Sequence, residues 1–84
     1  MTKIDIYTSP FCGFCYQAKE LFEVKHVSFN EIDIIAQPKR RNEMLERANG
    51  QKTVPQIFID DAHIGGYDDL HFLDARGELD TLLR

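Results

Sequence analysis

The sequence predicts an α/β fold, a mixed four-stranded sheet flanked by helices, with elements in the order β-α-β-α-β-β-α. Three observations carry that prediction. Twice, a run of alternating apolar and polar residues is followed by a run whose apolar residues recur every three or four positions, the signature of a strand and then an amphipathic helix. Next, Gln56–Ile59 and Ala62–Gly65 are short β-rich runs separated only by Asp60 and Asp61, too close for a crossover, and therefore an antiparallel hairpin. Finally, 84 residues with 43 % hydrophobic and 29 % charged content allow one small core, burying roughly 60–65 % of the unfolded chain's surface. One domain over residues 1–84 is expected.

The elements follow in chain order. Residues 3–8 alternate Lys3, Ile4, Asp5, Ile6, Tyr7 and Thr8, and Ser9-Pro10 stops the strand. Over residues 13–25, Cys15, Ala18, Leu21 and Phe22 share one helical face, with Gln17, Lys19, Glu20 and Glu23 opposite. Cys12 stands at the N-terminal edge of that helix. Residues 27–32 alternate again, but the phase slips near Glu31, which predicts a bulge or an early end to the second strand. Pro38 suits the first turn of a second helix, Met44, Leu45 and Ala48 give it an inner face, Glu43 and Arg47 form an i,i+4 pair, and Gly50 stops it. After the hairpin and the Gly65-Gly66 break, Asp68 or Asp69 caps a third helix that turns Leu70, Leu73 and Phe72 inward. Gly77 interrupts it, and residues 78–83 form a short terminal helical segment. The first helix returns the chain to a parallel neighbour by a right-handed crossover, and the hairpin adds an antiparallel edge.

Ten Lys and Arg against 14 Asp and Glu give a net charge of −4, so no positive field exists to hold a polyphosphate backbone. Nucleic acid is thus not an expected partner. No apolar stretch approaches the roughly 20 residues that cross a bilayer, and Met1-Thr2-Lys3-Ile4-Asp5 lacks the apolar region of a secretory signal. A cytoplasmic location without membrane attachment is expected. Cys12 and Cys15 are the only cysteines, too few for a disulfide framework.

Positions i and i+3 at a helix start lie about one turn apart, within the Cα separation of roughly 4.4–6.8 Å that a disulfide spans. Such a pair can open and close in place. Cys12 precedes the first turn, near unpaired backbone N–H groups, whereas Cys15 shares the inner face with Ala18 and Phe22. Cys12 is therefore the better nucleophile and Cys15 the resolving thiol. A lowered thiol pKa enlarges the reactive thiolate fraction but weakens its intrinsic nucleophilicity, so modest activation suits attack and deep activation suits release. The bland alternatives are two small buried hydrophobes or half of a zinc site. Against zinc, His26, His63 and His71 offer no second ligand pair at short spacing, so no metal site is expected.

Three separated segments then agree: Tyr7-Thr8-Ser9-Pro10-Phe11-Cys12-Gly13-Phe14-Cys15, Thr53-Val54-Pro55-Gln56-Ile57-Phe58-Ile59 and Gly65-Gly66-Tyr67-Asp68-Asp69-Leu70. Together they resemble the glutaredoxin family, in the right order and over nearly the whole chain. The resemblance implies a thioredoxin-like fold and a dithiol enzyme of the Cys-Gly-Phe-Cys type. Such an enzyme uses glutathione as co-substrate to reduce protein disulfides and protein–glutathione mixed disulfides, in the service of cell redox homeostasis. Carried over residue by residue, Cys12 matches the attacking cysteine, Cys15 the resolving one, and Pro55 a cis proline that turns the Val54 backbone edge toward a bound peptide; the plainer reading of Pro55 is a strand-start residue.

Glutathione carries an ammonium and a carboxylate at its γ-glutamyl end and a second carboxylate at its glycine end. Asp68 and Asp69, after Gly66, match the family's γ-glutamyl site, where backbone N–H groups take the carboxylate and an Asp takes the ammonium. One of these Asp residues could also simply cap the helix. For the glycine carboxylate, Lys39, Arg40 and Arg41 form the strongest local basic cluster, with Arg40 or Arg41 favoured over a merely solvated face. Tyr7 and Phe14 are expected to flank the thiols, Tyr7 having core packing as its alternative, and Thr53 and Val54 to line the groove. Two departures stand out. Ser9 replaces a Lys that many family members carry there, which shifts Cys12 activation toward the helix end. Gly13 stands where the commonest dithiol motif has Pro and is shared with Cys-Gly-Phe-Ser members, which hold iron–sulfur clusters. The alternative function is therefore a carrier of a [2Fe-2S] cluster bridging two chains through Cys12 and glutathione; otherwise a monomer is expected. A thioredoxin served by a flavoprotein reductase is disfavoured, because the chain has no Trp before Cys12 and Asp68-Asp69 would have no purpose.

Overall fold

The structure is a computed structural model and describes residues 2–84. Strand β1 (Ile4–Thr8) is buried along its whole length, including its polar members Asp5 and Thr8. Its position in the sheet explains this. β1 pairs in parallel with β2 (Asn30–Asp33) on one side and antiparallel with β3 (Gln56–Ile59) on the other, and β4 (Ala62–Gly65) completes the sheet in the order β2-β1-β3-β4. The alternation in β1 thus separates two covered faces rather than a core face from a wet one.

On one face, Ile4, Ile6, Ile57 and Ile59 pack under α1 (Gly13–Val24), α3 (Tyr67–Ala75) and α4 (Glu78–Leu82), through Ala18, Phe22, Leu70 and Leu79. On the other, Tyr7, Ile32, Ile34 and Phe58 pack under α2 (Arg40–Arg47), through Met44 and Ala48. Helices therefore cover both faces, as the sequence predicts.

Several boundaries differ from expectation. β2 begins at Asn30 and reaches Asp33, and its register with β1 runs unbroken from Asn30 to Asp33, so the phase slip near Glu31 makes no bulge. Val27 and Phe29 instead pack against the core while the chain is still approaching the sheet. The register irregularity of the sheet falls between Ile57 and Phe58, against β4. Pro38 lies in the turn before α2, where the Arg40 N–H donates to the Gln37 carbonyl. The N-cap of α3 is Gly66, not Asp68 or Asp69, although the Asp69 carboxylate reaches back to accept the Gly66 N–H at 3.0 Å. Phe72 is 58 % exposed rather than inward: two residues along a helix turn it about 200° from Leu70. α4 is the short terminal helical segment expected after Gly77, ending one residue earlier at Leu82. Asp60 (φ 50) and Asp61 (φ 68) form the tight β3–β4 turn, with both central residues left-handed, as a two-residue hairpin of type I′ requires.

Candidate active site

The loop from β1 delivers Cys12 to the N-cap of α1 in an extended conformation (φ −103, ψ 107). There its sulfur accepts the Cys15 N–H at 3.1 Å, one of the orphan donors of the first helical turn. It also stands 3.8 Å from the Val54 carbonyl oxygen. Cys15, one turn on, is 2 % exposed on the inner face beside Ala18 and Phe22. Their Cα atoms are 5.2 Å apart and the sulfurs are joined, so the structure represents the oxidised pair. A thiolate at Cys12 would keep the same N–H donor and the field of the helix end, whereas Cys15 can be reached only through Cys12 or from its side.

Beside the pair runs a groove lined by Phe14, Gln51, Thr53, Val54, Pro55, Gly66, Tyr67, Asp68 and Asp69. It joins three segments far apart in sequence. Phe14 is 58 % exposed and stacks on Tyr67 with ring centroids 6.2 Å apart, which makes an aromatic wall. The Val54–Pro55 bond is cis, as the resemblance implies. At the far end, Gly65 has φ +118, and a Cβ there would run into the Asp69 carboxylate, so the close approach of β4 to the head of α3 demands glycine twice over. Asp69 lines the groove and also accepts the Gly66 N–H, and Asp68, exposed in the first turn, lines it beside Asp69.

A buried amide supports the groove from below. Gln56 is fully buried; its Nε2 donates to the Thr53 carbonyl (3.0 Å), Thr53 Oγ1 (3.2 Å) and Gln51 Oε1 (3.3 Å), and its Oε1 faces His63 Nε2 at 2.8 Å. With Oε1 able only to accept, the His63 ring must donate from Nε2. The segment carrying Gln51 and Thr53 is thereby tied to the sheet.

Three expected contacts are not at the groove. Tyr7 is fully buried on the α2 face, because the β1 register pairs it with Gln56 and turns its ring edge-on to Phe58. Its hydroxyl donates to Glu43 and accepts from Arg47 at 2.9 Å; burial, then the Glu43 carboxylate, raises its pKa. Arg40 forks onto Glu43 at 2.9 and 3.3 Å and lines a separate depression with Lys3, Asp5, Asn30 and Ile32. Arg41 is exposed and does not line the groove. The reason is topological: α2 covers the sheet face that Tyr7 occupies, and its N-terminus does not reach Phe14 and Tyr67. Conversely, Tyr67, Gln51 and Gln56 went unassigned in the sequence. Tyr67 and Gln56 sit in recognisable motifs, but nothing local marks Gln51.

Among the described residues no group of three or more His, Cys, Asp or Glu is arranged to hold a metal ion, and no helix is long and apolar enough to cross a membrane. Comparison with known proteins places these features in a family. The glutaredoxin family model matches residues 4–64. The chain is 52 % identical to glutaredoxin 3 of Escherichia coli (strain K12) over 84 residues, the full length of both. The solution structure of a Brucella melitensis glutaredoxin is 51 % identical and superposes with a TM-score of 0.83 over 99 % of this chain and 89 % of that one. A buckwheat glutaredoxin crystallised as a complex with glutathione is 27 % identical, with a TM-score of 0.87 over 98 % of this chain and 76 % of that one. With Cys12 and Cys15 at the head of α1 and the sheet and helices of a thioredoxin-like fold around them, the chain belongs to the glutaredoxin family of thiol–disulfide oxidoreductases.

Proposed function

We propose that this chain, acting as a single domain over residues 1–84 in the cytoplasm, uses glutathione to reduce protein–glutathione mixed disulfides and protein disulfides. One observation carries the reading: the accessible sulfur of the pair sits at a helix N-cap and beside a peptide-sized groove that ends in Asp68. The buckwheat relative that holds glutathione supports the same ligand here.

In deglutathionylation, the Cys12 thiolate attacks the glutathione sulfur, the client cysteine leaves as a thiolate and takes up a proton, and a second glutathione thiolate releases Cys12 as glutathione disulfide forms. In disulfide reduction, Cys12 attacks the client disulfide, and Cys15, 5.2 Å away by Cα, attacks the resulting mixed disulfide and closes the pair. Glutathione then reopens it. Phe14 and Tyr67 cover one flank of the bound tripeptide, Thr53 and Val54 offer it a backbone edge, and Asp68 meets its ammonium; Gln51 is a further polar group of the groove, which no Lys or Arg among the described residues lines.

Glutathione-dependent reduction of the mixed disulfide between glutathione and 2-mercaptoethanol, coupled to NADPH through glutathione reductase, tests this. Wild type should turn over and Cys12→Ser should not. Activity retained by Cys12→Ser, or glutathione titrations that leave the NMR signals of Phe14, Thr53 and Asp68 unmoved, would refute the assignment.

A second reading, cluster carriage, rests on Gly13, which this chain shares with the cluster-holding Cys-Gly-Phe-Ser members. Because Cys15 is buried, Cys12 alone could ligate iron, so a [2Fe-2S] cluster would need two chains and two glutathione thiolates. Anaerobic reconstitution with iron, sulfide and glutathione that yields neither visible absorbance nor a dimer would remove this reading.

A further inference from the structure

A second depression opens on the other side of Cys12, and it shares no lining residue with the first groove. Ser9, Pro10, Phe11, Tyr16, Lys19, Glu31 and Asp33 surround the two cysteines there. It continues along α1 through Tyr16, Lys19 and Glu31 to Glu20 and Glu23. Two properties of this face are unexplained by glutathione. Phe11 is held at φ 59, a region costly for a residue bearing a Cβ, and its side chain is fully exposed next to Cys12, with Tyr16 64 % exposed beside it. The charge is also lopsided: among the described residues lining this face, Lys19 is the one cation against Glu20, Glu23, Glu31 and Asp33, and Lys19 and Glu31 pair with each other at 2.9 Å.

We propose that this face docks the client polypeptide and selects segments in which the reactive cysteine is flanked by Lys or Arg. Bare aromatic rings over an anionic floor attract a cationic side chain twice, through the ring face and through the carboxylates, and each attraction strengthens as the client covers the surface. A mixed disulfide would then lie across Cys12, its glutathione half in the first groove and its client half here. When Cys12 bonds to the glutathione sulfur and the client sulfur departs, the leaving thiolate is released over the acidic face. The inference rests on the proposed function and adds to it the chemical class of client.

The test uses two glutathionylated peptides identical except for Lys or Glu on both sides of the cysteine, with the 2-mercaptoethanol mixed disulfide as a substrate lacking flanks. Wild type should prefer the Lys peptide about fivefold in kcat/KM at low salt, the scale of one or two exposed ion pairs. That preference should shrink toward unity near 1 M salt, where screening acts within about 3 Å. Phe11→Ala should lower kcat/KM for the Lys peptide about threefold, the scale of one exposed cation–π contact. Glu20→Gln with Glu23→Gln should narrow the Lys-over-Glu preference. Both variants should leave the small mixed disulfide unaffected. Equal turnover of the two peptides by wild type, or equal losses by Phe11→Ala on all three substrates, overturns client selection and leaves the glutathione chemistry standing. No turnover of the small mixed disulfide by wild type removes both.

Discussion

Replacing Gln56 with Leu removes the tie under the groove while keeping a side chain of similar volume. The amide has two N–H groups shared among three acceptors and one oxygen facing His63, so about three hydrogen bonds are lost, each contributing roughly 1 kcal/mol net. Thr53 and Gln51 are exposed and His63 half-buried, so their freed groups regain water. Leu adds apolar burial. The expected destabilisation is therefore about 1–2 kcal/mol, a fall of about 1–2 M in the urea midpoint at an unchanged slope near 1 kcal/mol/M. Glutathione reductase-coupled kinetics read the functional half. The groove wall at Gln51 and Thr53 loosens while Cys12 and Cys15 are untouched, so KM for a glutathionylated substrate should rise several-fold with kcat kept within about twofold. His63→Ala removes the Oε1 partner and the stack of the His63 ring on Phe58 but keeps the ties to Gln51 and Thr53, so it should lower stability with a smaller rise in KM. A Gln56→Leu enzyme that loses the expected stability but keeps its KM would show that the buried amide only holds the fold.

Other outcomes follow from the same geometry. Cys15→Ser should retain deglutathionylation and lose most protein-disulfide reduction; parallel loss in both assays would contradict the division of roles. Asp69→Ala removes the carboxylate that accepts the Gly66 N–H and should cost about 1 kcal/mol in urea unfolding, the usual worth of an N-terminal cap. Glu43 is held below its ordinary pKa first by Arg40 and then by the Tyr7 hydroxyl. Its contribution to stability is thus complete above the unfolded glutamate value of about 4.3 and is lost as pH falls through the lower folded value. Urea midpoints measured down that range should fall less steeply for Glu43→Gln than for wild type.

Much of this protein is written locally. The Cys12-to-Cys15 spacing at a helix start, the Asp60-Asp61 hairpin and the inward row of Cys15, Ala18 and Phe22 are short-range patterns, because helix period, strand alternation and turn chemistry act over a few residues. For that reason the cysteine pair, Phe14, Pro55 and Asp68, which the structure gathers around one groove, can be picked out from short motifs. The placement of Tyr7, Arg40 and Arg41 away from that groove cannot. Whether Tyr7 faces Cys12 or α2 depends on which side of β1 is covered by which helix, and both sides are covered. Likewise, Arg40 has a partner three residues away in Glu43, and that pairing, with the placement of α2, puts it in a depression separate from the groove. Gln56 reads as an ordinary strand residue until β4 brings His63, and the preceding loop Gln51 and Thr53, around it. The elements, their order and the Cys12–Cys15 spacing follow from local pattern. Which distant segments meet beside Cys12 emerges only on folding, since sheet order and helix placement are fixed by burial summed over the whole chain.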